Sequence, residues 1–468
     1  MPHDLIQVDL LHLIARYLPS QDAFLAFCQA IPWASLGYPL QCWLELSTRV
    51  PLSSLWPRLL LTAHVPDAEV ELYRGASIVL SNVVVSCPMD FAQLRRVVQP
   101  QARLHMSAVC LPPAPTPAWF AELAAFSVVS FQSHELGLDA LCLNLHAFQH
   151  LRDLDMTRST LLSPATQAHF FDTLTSGLPV LQSLRLRHDG LTKESLGAMT
   201  AWLTTRRVVR FGLSGGAQAA APLALCRALQ TSPTLQHLAI HQSSTGLKFC
   251  RDVATEQLRG LQTLVLRDCQ LTARNVKKLV ASGLAPERLD LSGNAIGDKG
   301  VQMLVEWLPS TRVQLLHLAG TGMTPKGLFA LATLLRGPST VAALYLSHEA
   351  LPERSLAQFV KLTATSKSLR FLALWDVPVG VEGTMDMVDA LYHSQRLELV
   401  ALGASLLTPR VAQMTDSCYG SRATRFLVAA PPLGALDLAR VQATLDAEVR
   451  GPRQPKVVLP SCAWPLDF

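Results

Sequence analysis

The sequence is short of charge. Asp, Glu, Lys and Arg make up only 16% of its 468 residues while 49% are hydrophobic, which excludes a disordered, self-repelling chain. Clustered cysteines are missing too. Cys28, Cys42, Cys87, Cys110, Cys142, Cys226, Cys250, Cys269, Cys418 and Cys462 are scattered with no C-x-x-C, so neither a disulfide framework nor a zinc ribbon is expected. There is no run of 18 apolar residues, so no membrane span is expected. The start, Met-Pro-His-Asp, has no basic segment leading into an apolar one, and no secretory signal is expected. Together these absences predict a reducing compartment, cytoplasmic or nuclear. The net charge of +5 is mild and no basic stripe stands out, so neither nucleic acid nor membrane is expected as a partner.

The signatures of catalysis are absent as well. Gly293-Asn-Ala-Ile-Gly297-Asp-Lys-Gly300 is glycine-rich, but it lacks the Gly-Lys-Ser/Thr ending of a phosphate-cradling loop and reads as a strand-to-helix turn. His146 and His150 stand four apart without the Glu of H-E-x-x-H or a third ligand. Ser214-Gly215-Gly216 lacks the G-x-S-x-G form of a nucleophile elbow. No carboxylate pair has a spacing that demands acid–base work. The expectation is a non-enzyme with no cofactor and no metal.

What the chain has is a repeat. Leu181-x-x-Leu184-x-Leu186-x-x-Asp189-x-Leu191 and Leu261-x-x-Leu264-x-Leu266-x-x-Cys269-x-Leu271 are its clearest copies. A third, Leu289-x-Leu291-x-x-Asn294-x-Ile296, carries Pro286 in its first slot. With the second apolar residue of each strand as marker, the register runs Leu104, Val129, Leu154, Leu184, Phe211, Leu238, Leu264, Leu289, Leu316, Leu344, Leu372 and Val400, with Leu80 and Leu427 as candidate end repeats. Between markers the apolar period changes from 2 to 3.6, the mark of a helix. Asp298 is placed to cap a helix burying Val301, Leu304, Val305 and Leu308. Thr324-Pro325 reads as an N-cap followed by Pro at the first helical position, ahead of Leu328, Leu331, Ala332 and Leu335. Thr192 likewise precedes Leu196, Met199 and Leu203.

This pattern resembles the leucine-rich repeat, and its spacing resembles the ribonuclease-inhibitor class. The resemblance implies an α/β solenoid, a horseshoe with a concave parallel sheet and convex helices, preceded by a small helical segment. The expected organisation is a helical or F-box-like segment over 1–50, a solenoid of 12–14 repeats over 70–430, and a C-terminal cap and tail over 431–468. No repeat buries its leucines alone, so both ends need capping. Leu111-Pro-Pro-Ala-Pro-Thr-Pro117 breaks a helix and reads as an irregular convex loop, with an SH3-type ligand as the alternative.

The first residues depart from the repeat. Pro2, Leu5 and Ile6 lead into helical spacing at Leu10, Leu13, Ile14 and Tyr17, then Leu18-Pro19-Ser20-Gln21-Asp22 and a second apolar stretch, Ala23 to Cys28. This segment, roughly 1–45, resembles an F-box. It departs from that family at Pro32, which interrupts the expected third helix, and in the placement of Trp33 and Trp43. The resemblance implies docking on a Skp-type adaptor of a cullin–RING ubiquitin ligase, with Pro2, Leu5, Ile6 and Leu18 as contacts. A plain helical cap on the first repeat is the alternative reading.

Side chains alternate along a strand, so the residues between the leucines face out of the sheet. They form an Arg/His zone of Arg185, Arg187, His188, Arg210, His237, His241, Arg267, Arg288 and His317, then a zone with Tyr345, His348, Phe371 and Trp375. Tyr345, Phe371 and Trp375 are expected to be exposed. Arg, Tyr and Trp dominate binding hot spots, which makes this face the expected site for a protein target. The chain is expected to be a monomer outside its complex. A scaffold or regulator without any ligase connection is the alternative function, and a GTPase activator a distant third.

Overall fold

The computed structural model describes residues 21–374 apart from 89, 108–109, 111, 113–114, 135–137, 159–162, 188–190, 216–222, 252–257, 259 and 347–350, together with Leu11, Ile14, Leu18 and the strands Leu399–Gly403 and Arg425–Ala429. The chain divides into two compact units, Met1–Arg210 and Phe211–Phe468. Each is an α/β stack of short parallel strands alternating with helices.

In the first unit the strands are β1 (Leu59–Leu61), β2 (Asn82–Val85), β3 (Arg103–Ser107), β4 (Ser127–His134), β5 (Asp153–Arg158) and β6 (Ser183–Arg187). They pair parallel in chain order. Pairing puts Leu59, Val83 and Leu104 at one level, so Val83 holds the marker slot expected at Leu80. Leu80 instead follows the helix Val70–Val79 as its buried C-cap. In β4 Val128 pairs with Leu104 and Phe131 with Leu154. Val129, the expected marker, is skipped by a register shift. The strand absorbs an extra residue here, the usual action of a bulge.

Ahead of β1 lie the helices Gln21–Ala30, Trp33–Leu36 and Tyr38–Leu46. Pro32 separates the first two and serves as the N-cap of the second. Phe24 is fully buried, with its ring 4.3 Å from Trp43 and 4.5 Å from Trp56. The Trp43 indole N–H donates to the Leu55 carbonyl at 3.0 Å. These helices therefore close the end of the first unit's core, as an open repeat requires. Trp33, by contrast, is 53% exposed. Pro117, expected within an irregular loop, opens the helix Pro117–Ala124, with Thr116 as its N-cap accepting from the Trp119 N–H. Proline is tolerated there because the first helical N–H has no partner within the helix.

In the second unit the strands are β7 (Arg210–Ser214, whose first residue lies at the boundary), β8 (His237–His241), β9 (Thr263–Arg267), β10 (Arg288–Asp290), β11 (Leu315–His317), β12 (Ala343–Tyr345), β13 (Phe371–Leu374), β14 (Leu399–Gly403) and β15 (Arg425–Ala429). From β8 onward they pair parallel in chain order. The markers Leu238, Leu264, Leu289, Leu316, Leu344, Leu372 and Val400 stand in register. The last pairing is Val400 with Phe426, so Leu427 is one residue out of the marker slot. The strand-to-helix turn also repeats: Gln242, Asp268, Gly293 and Gly320 stand four residues past successive markers with φ of 49°, 53°, 68° and 62°. Glycine adopts this left-handed backbone without a Cβ penalty, which explains its use in two of the four repeats.

The helices cover the face that carries the leucines. Leu328, Leu331, Ala332 and Leu335 of Pro325–Arg336 are buried, and Thr324 caps that helix through Lys326 N–H at 3.3 Å. Thr192 caps Lys193–Thr205 through Ser195 N–H at 3.2 Å. Asp298 departs from expectation. It lies inside the helix Gly297–Trp307, and its carboxylate accepts from Thr324 N–H at 2.8 Å and Gly327 N–H at 3.0 Å. It caps the next repeat's helix rather than its own, tying neighbouring repeats together. Cys269 is a packed thiol, fully buried and pushed up to about 12 by burial.

Candidate functional site

The leucine pattern places one face of each sheet against the helices and leaves the other open. On the open face the two units differ in how their charges are arranged.

In the first unit opposite charges alternate. Arg185 on β6 meets Asp155 on β5 at 3.1 Å, and Arg210 meets Asp153 at 3.6 Å. Asp155 also accepts from Thr157 N–H at 3.0 Å and Thr157 Oγ1 at 2.8 Å. Both partners of Arg210–Asp153 are well exposed, so this pair contributes little stability, about 0–1 kcal/mol. Arg187 is exposed at the end of β6. Nearby, burial and the Arg58 charge lower His105 to about 4, so its imidazole is neutral at physiological pH.

In the second unit the charge is layered. Asp290 on β10 is wholly buried, and Arg267 on β9 reaches it at 2.5 Å. Asp290 Oδ1 also accepts from Ser292 N–H at 2.9 Å. Burial alone would raise the Asp290 pKa, but the Arg267 guanidinium, His317 and hydrogen bonds from Ser292 outweigh it and hold the carboxyl below its usual range. His317 on β11 places Nδ1 3.9 Å from the same carboxylate. Burial lowers His317 to about 4, the Asp290 charge only partly opposing it, so at neutral pH this contact is not an ion pair. Its ring stacks on Tyr345 of β12 at 3.9 Å and 12°. Burial, more than any other influence, lowers the pKa of Arg288, which still leaves a guanidinium protonated at neutral pH.

Tyr345 and Phe371 differ from the expected exposure. Tyr345 is 7% exposed and Phe371 half-buried, because Ala343, Tyr345 and Ala373 form an apolar cluster on which Leu315 and Phe371 pack. Strands ~4.8 Å apart let side chains at one level cover each other, so a central position on a sheet face is shielded even without a helix above it. His317 is buried for the same reason, and its Nε2 has no hydrogen-bond partner. His237 and His241 are half-buried on β8, with His237 Nδ1 3.0 Å from Thr263 Oγ1. His188, His348 and Trp375 lie outside the described residues, as do Pro2, Leu5 and Ile6; Leu18 is half-buried.

Alternation along β10 puts Asp290 on the same face as Arg288, and Asp290 is a site residue that the sequence pattern did not single out. Its neighbours were the signal: Arg267, Arg288 and His317 hold the facing slots of three adjacent strands, a set that calls for a buried counter-charge.

The buried imidazole gives a pH prediction. The folded-state value of about 4 lies below the ordinary 6.5. The unfolded chain therefore binds a proton that the folded one refuses as pH falls from 6.5 towards 4, and stability is lost across that window. Between pH 7 and 5 the loss from this group is about 2 kcal/mol, at roughly 1.4 kcal/mol per pKa unit. The depressed pKa of Asp290 acts only below its ordinary 3.8, outside this range. Urea unfolding of the wild type and of His317→Gln at both pH values is expected to show a smaller acid loss in the variant. Equal losses contradict it.

Residues 287–305, which contain β10 and its turn, match the family model for the leucine-rich repeat. Over 180 residues the chain is 29% identical to the ribonuclease inhibitor of Sus scrofa, covering 36% of this chain and 39% of that protein. Over 250 residues it is 28% identical to the ribonuclease inhibitor of Mus musculus, covering 50% and 54%. The chain thus spans about half, or less, of the length of these curated relatives. Among solved structures, one of the Rad7 and Elc1 complex in yeast aligns over 87% of this chain and 90% of that one, with 13% identity and a TM-score of 0.45.

Proposed function

We propose that this chain is a protein-interaction module that binds a protein target on the open face of its parallel sheet and performs no catalysis. The layered cluster of the second unit supports the reading best: a fully buried Asp290 under the guanidinium of Arg267, beside an apolar shelf that ends at Phe371. Fixed Arg and aromatic side chains on rigid strands are the arrangement that hot spots use, because little side-chain entropy remains to be lost on binding. Likeness to ribonuclease inhibitors, proteins named for what they inhibit, agrees with a binding role. Proximity labelling with the full chain, compared with a form carrying Arg267→Glu and Phe371→Asp, tests it. The expected outcome is loss of a defined set of partners. An unchanged set rejects the face.

In its finer form the proposal makes residues 1–45 an F-box that joins this target to a cullin–RING ubiquitin ligase through a Skp-type adaptor. Its support is the sequence pattern around Pro2, Leu5, Ile6 and Leu18, followed by helices broken at Pro32. A purified Skp-type adaptor is expected to bind the full chain and to lose it on Leu5→Asp with Ile6→Asp. If the adaptor does not bind, the chain is a repeat scaffold without a ligase connection, its first helices serving only as the cap.

A further inference from the structure

From the open face of the first unit we infer a further binding site, one for a phosphorylated side chain of a protein partner. Arg58, Asn82 and Arg103 form a row of hydrogen-bond donors there, with the apolar pair Leu60 and Val84 beside it. The site does not rest on the Asp290 cluster, which belongs to the other unit.

The row follows from the register. Asn82, Arg103 and Ser127 stand opposite one another on β2, β3 and β4. Arg58 lies one residue ahead of the Leu59–Val83 pair and continues the row at the start of β1. Each of these residues precedes a buried one, Leu59, Val83, Leu104 or Val128, so alternation turns the row away from the helices. Arg58 and Arg103 are exposed, and neither has an ion-pair partner among the described residues. The strands β1 to β4 hold no Asp or Glu. Carboxylates begin on β5, where Arg210 meets Asp153 at 3.6 Å and Arg185 meets Asp155 at 3.1 Å.

His105, two residues past Arg103 on β3, orients the middle of the row. Its Nε2 lies 3.3 Å from Asn82 Oδ1. The ring is neutral at physiological pH, lowered to about 4 by burial first and then by Arg58 and Arg103, against Asp153. A neutral imidazole donating through Nε2 occupies the amide oxygen and leaves the Asn82 Nδ2 protons for a ligand. The row then offers a guanidinium, an amide N–H and a second guanidinium, which are donors only.

Charge decides the occupant. β1 and β3 are two strand spacings apart, so the two arginine Cα atoms stand about 10 Å apart with Asn82 between them. A phosphate ester carries a charge of about −2 at neutral pH and three strong acceptor oxygens, enough to engage both guanidiniums and the amide together. A carboxylate has a single charge and leaves one guanidinium uncompensated. Leu60 and Val84 are half-buried and share a level with His105, two residues along the strands from the row. Side chains two positions apart fall on one face of an extended peptide. The partner therefore sets an apolar residue two positions from the phosphorylated one.

The test is an array of degenerate twelve-residue peptides, each with one fixed phosphoserine, phosphothreonine or phosphotyrosine, probed with the purified full-length chain. Selected peptides are expected to carry Leu, Ile, Val or Phe two positions from the phosphorylated residue. Removing the phosphate from a selected synthetic peptide is expected to weaken binding about tenfold or more by fluorescence anisotropy. That comparison needs no protein variant. On the protein side, Arg58→Gln with Arg103→Gln is expected to abolish the preference for phosphate. Asn82→Asp, which keeps the shape and the acceptor for His105, is expected to do the same. Arg74→Gln, an equal loss of charge at an exposed position of the helix Val70–Val79, is expected to leave it unchanged. Equal binding of the unphosphorylated peptide, or of one with Glu in place of the phosphorylated residue, overturns the inference. So does binding of a twelve-nucleotide single-stranded RNA with no phosphopeptide selected. Phosphopeptide capture lost on Arg267→Glu with Phe371→Asp but kept on Arg58→Gln with Arg103→Gln also overturns it, and leaves the second unit's face as a binding site. Capture lost only on the first-unit variants upholds the inference, even where proximity labelling rejects the second unit's face.

Discussion

Asn294→Ala is expected to lower the unfolding free energy of the second unit by about 3–5 kcal/mol, several times the effect of an average substitution. Asn294 is fully buried beneath the turn that follows β10. Its Oδ1 accepts from Cys269 N–H at 2.9 Å and Leu271 N–H at 3.0 Å, and its Nδ2 donates to the carbonyls of Leu266 at 2.6 Å, Leu291 at 2.8 Å and Ser292 at 3.1 Å. One side chain thus pairs backbone groups of two successive repeats where no strand or helix can. Alanine would leave both amide protons buried and unpaired, at about 1–3 kcal/mol each, and would open a small cavity as well. Chemical denaturation measures the loss, and hydrogen exchange is expected to accelerate first at Cys269 and Leu271. A loss below about 1 kcal/mol would mean that water replaces the amide, contrary to the packing seen here.

Trp43→Ala is the second large effect, expected to cost the first unit about 3–5 kcal/mol. The indole is wholly buried against Phe24 and donates to the Leu55 carbonyl. Its removal leaves a cavity at the end of the stack together with an unpaired carbonyl. Because the capping helices cover the first repeat, protection from hydrogen exchange should fall first in β1 and in the helix Val70–Val79. Amides of the second unit serve as the internal reference. A uniform loss across the first unit would show that these helices do not act as an end cap.

How much of this was legible depended on which residues carry each strand. Where leucine holds both inward slots, as at Leu264 and Leu266, spacing alone located the strand and its partners. β2 escaped because valines hold its inward slots and the well-spaced Leu80 is the C-cap of the preceding helix. β4 shifted because an extra residue is invisible to a counting rule. Asp298 looked like the cap of its own helix because local sequence shows only local partners, whereas Thr324 and Gly327 lie 26 and 29 residues away. For the open face, alternation told correctly which side chains leave the leucine side. It could not tell that adjacent strands bury Asp290, His317 and Tyr345 among themselves. That burial separates the carboxylate of Asp290 below from the partly exposed guanidinium of Arg267 above.

The central claim is that the open face of the second unit holds the partner. Site-specific photocrosslinking tests it most directly, with a benzophenone amino acid at His237 or Phe371 on the open face and at Lys277 or Gln302 on exposed helix positions. The open-face positions are expected to crosslink one and the same protein in cells, and the helix positions to yield none of it. Crosslinks to that protein from Lys277 and Gln302, with none from His237 or Phe371, would contradict the account.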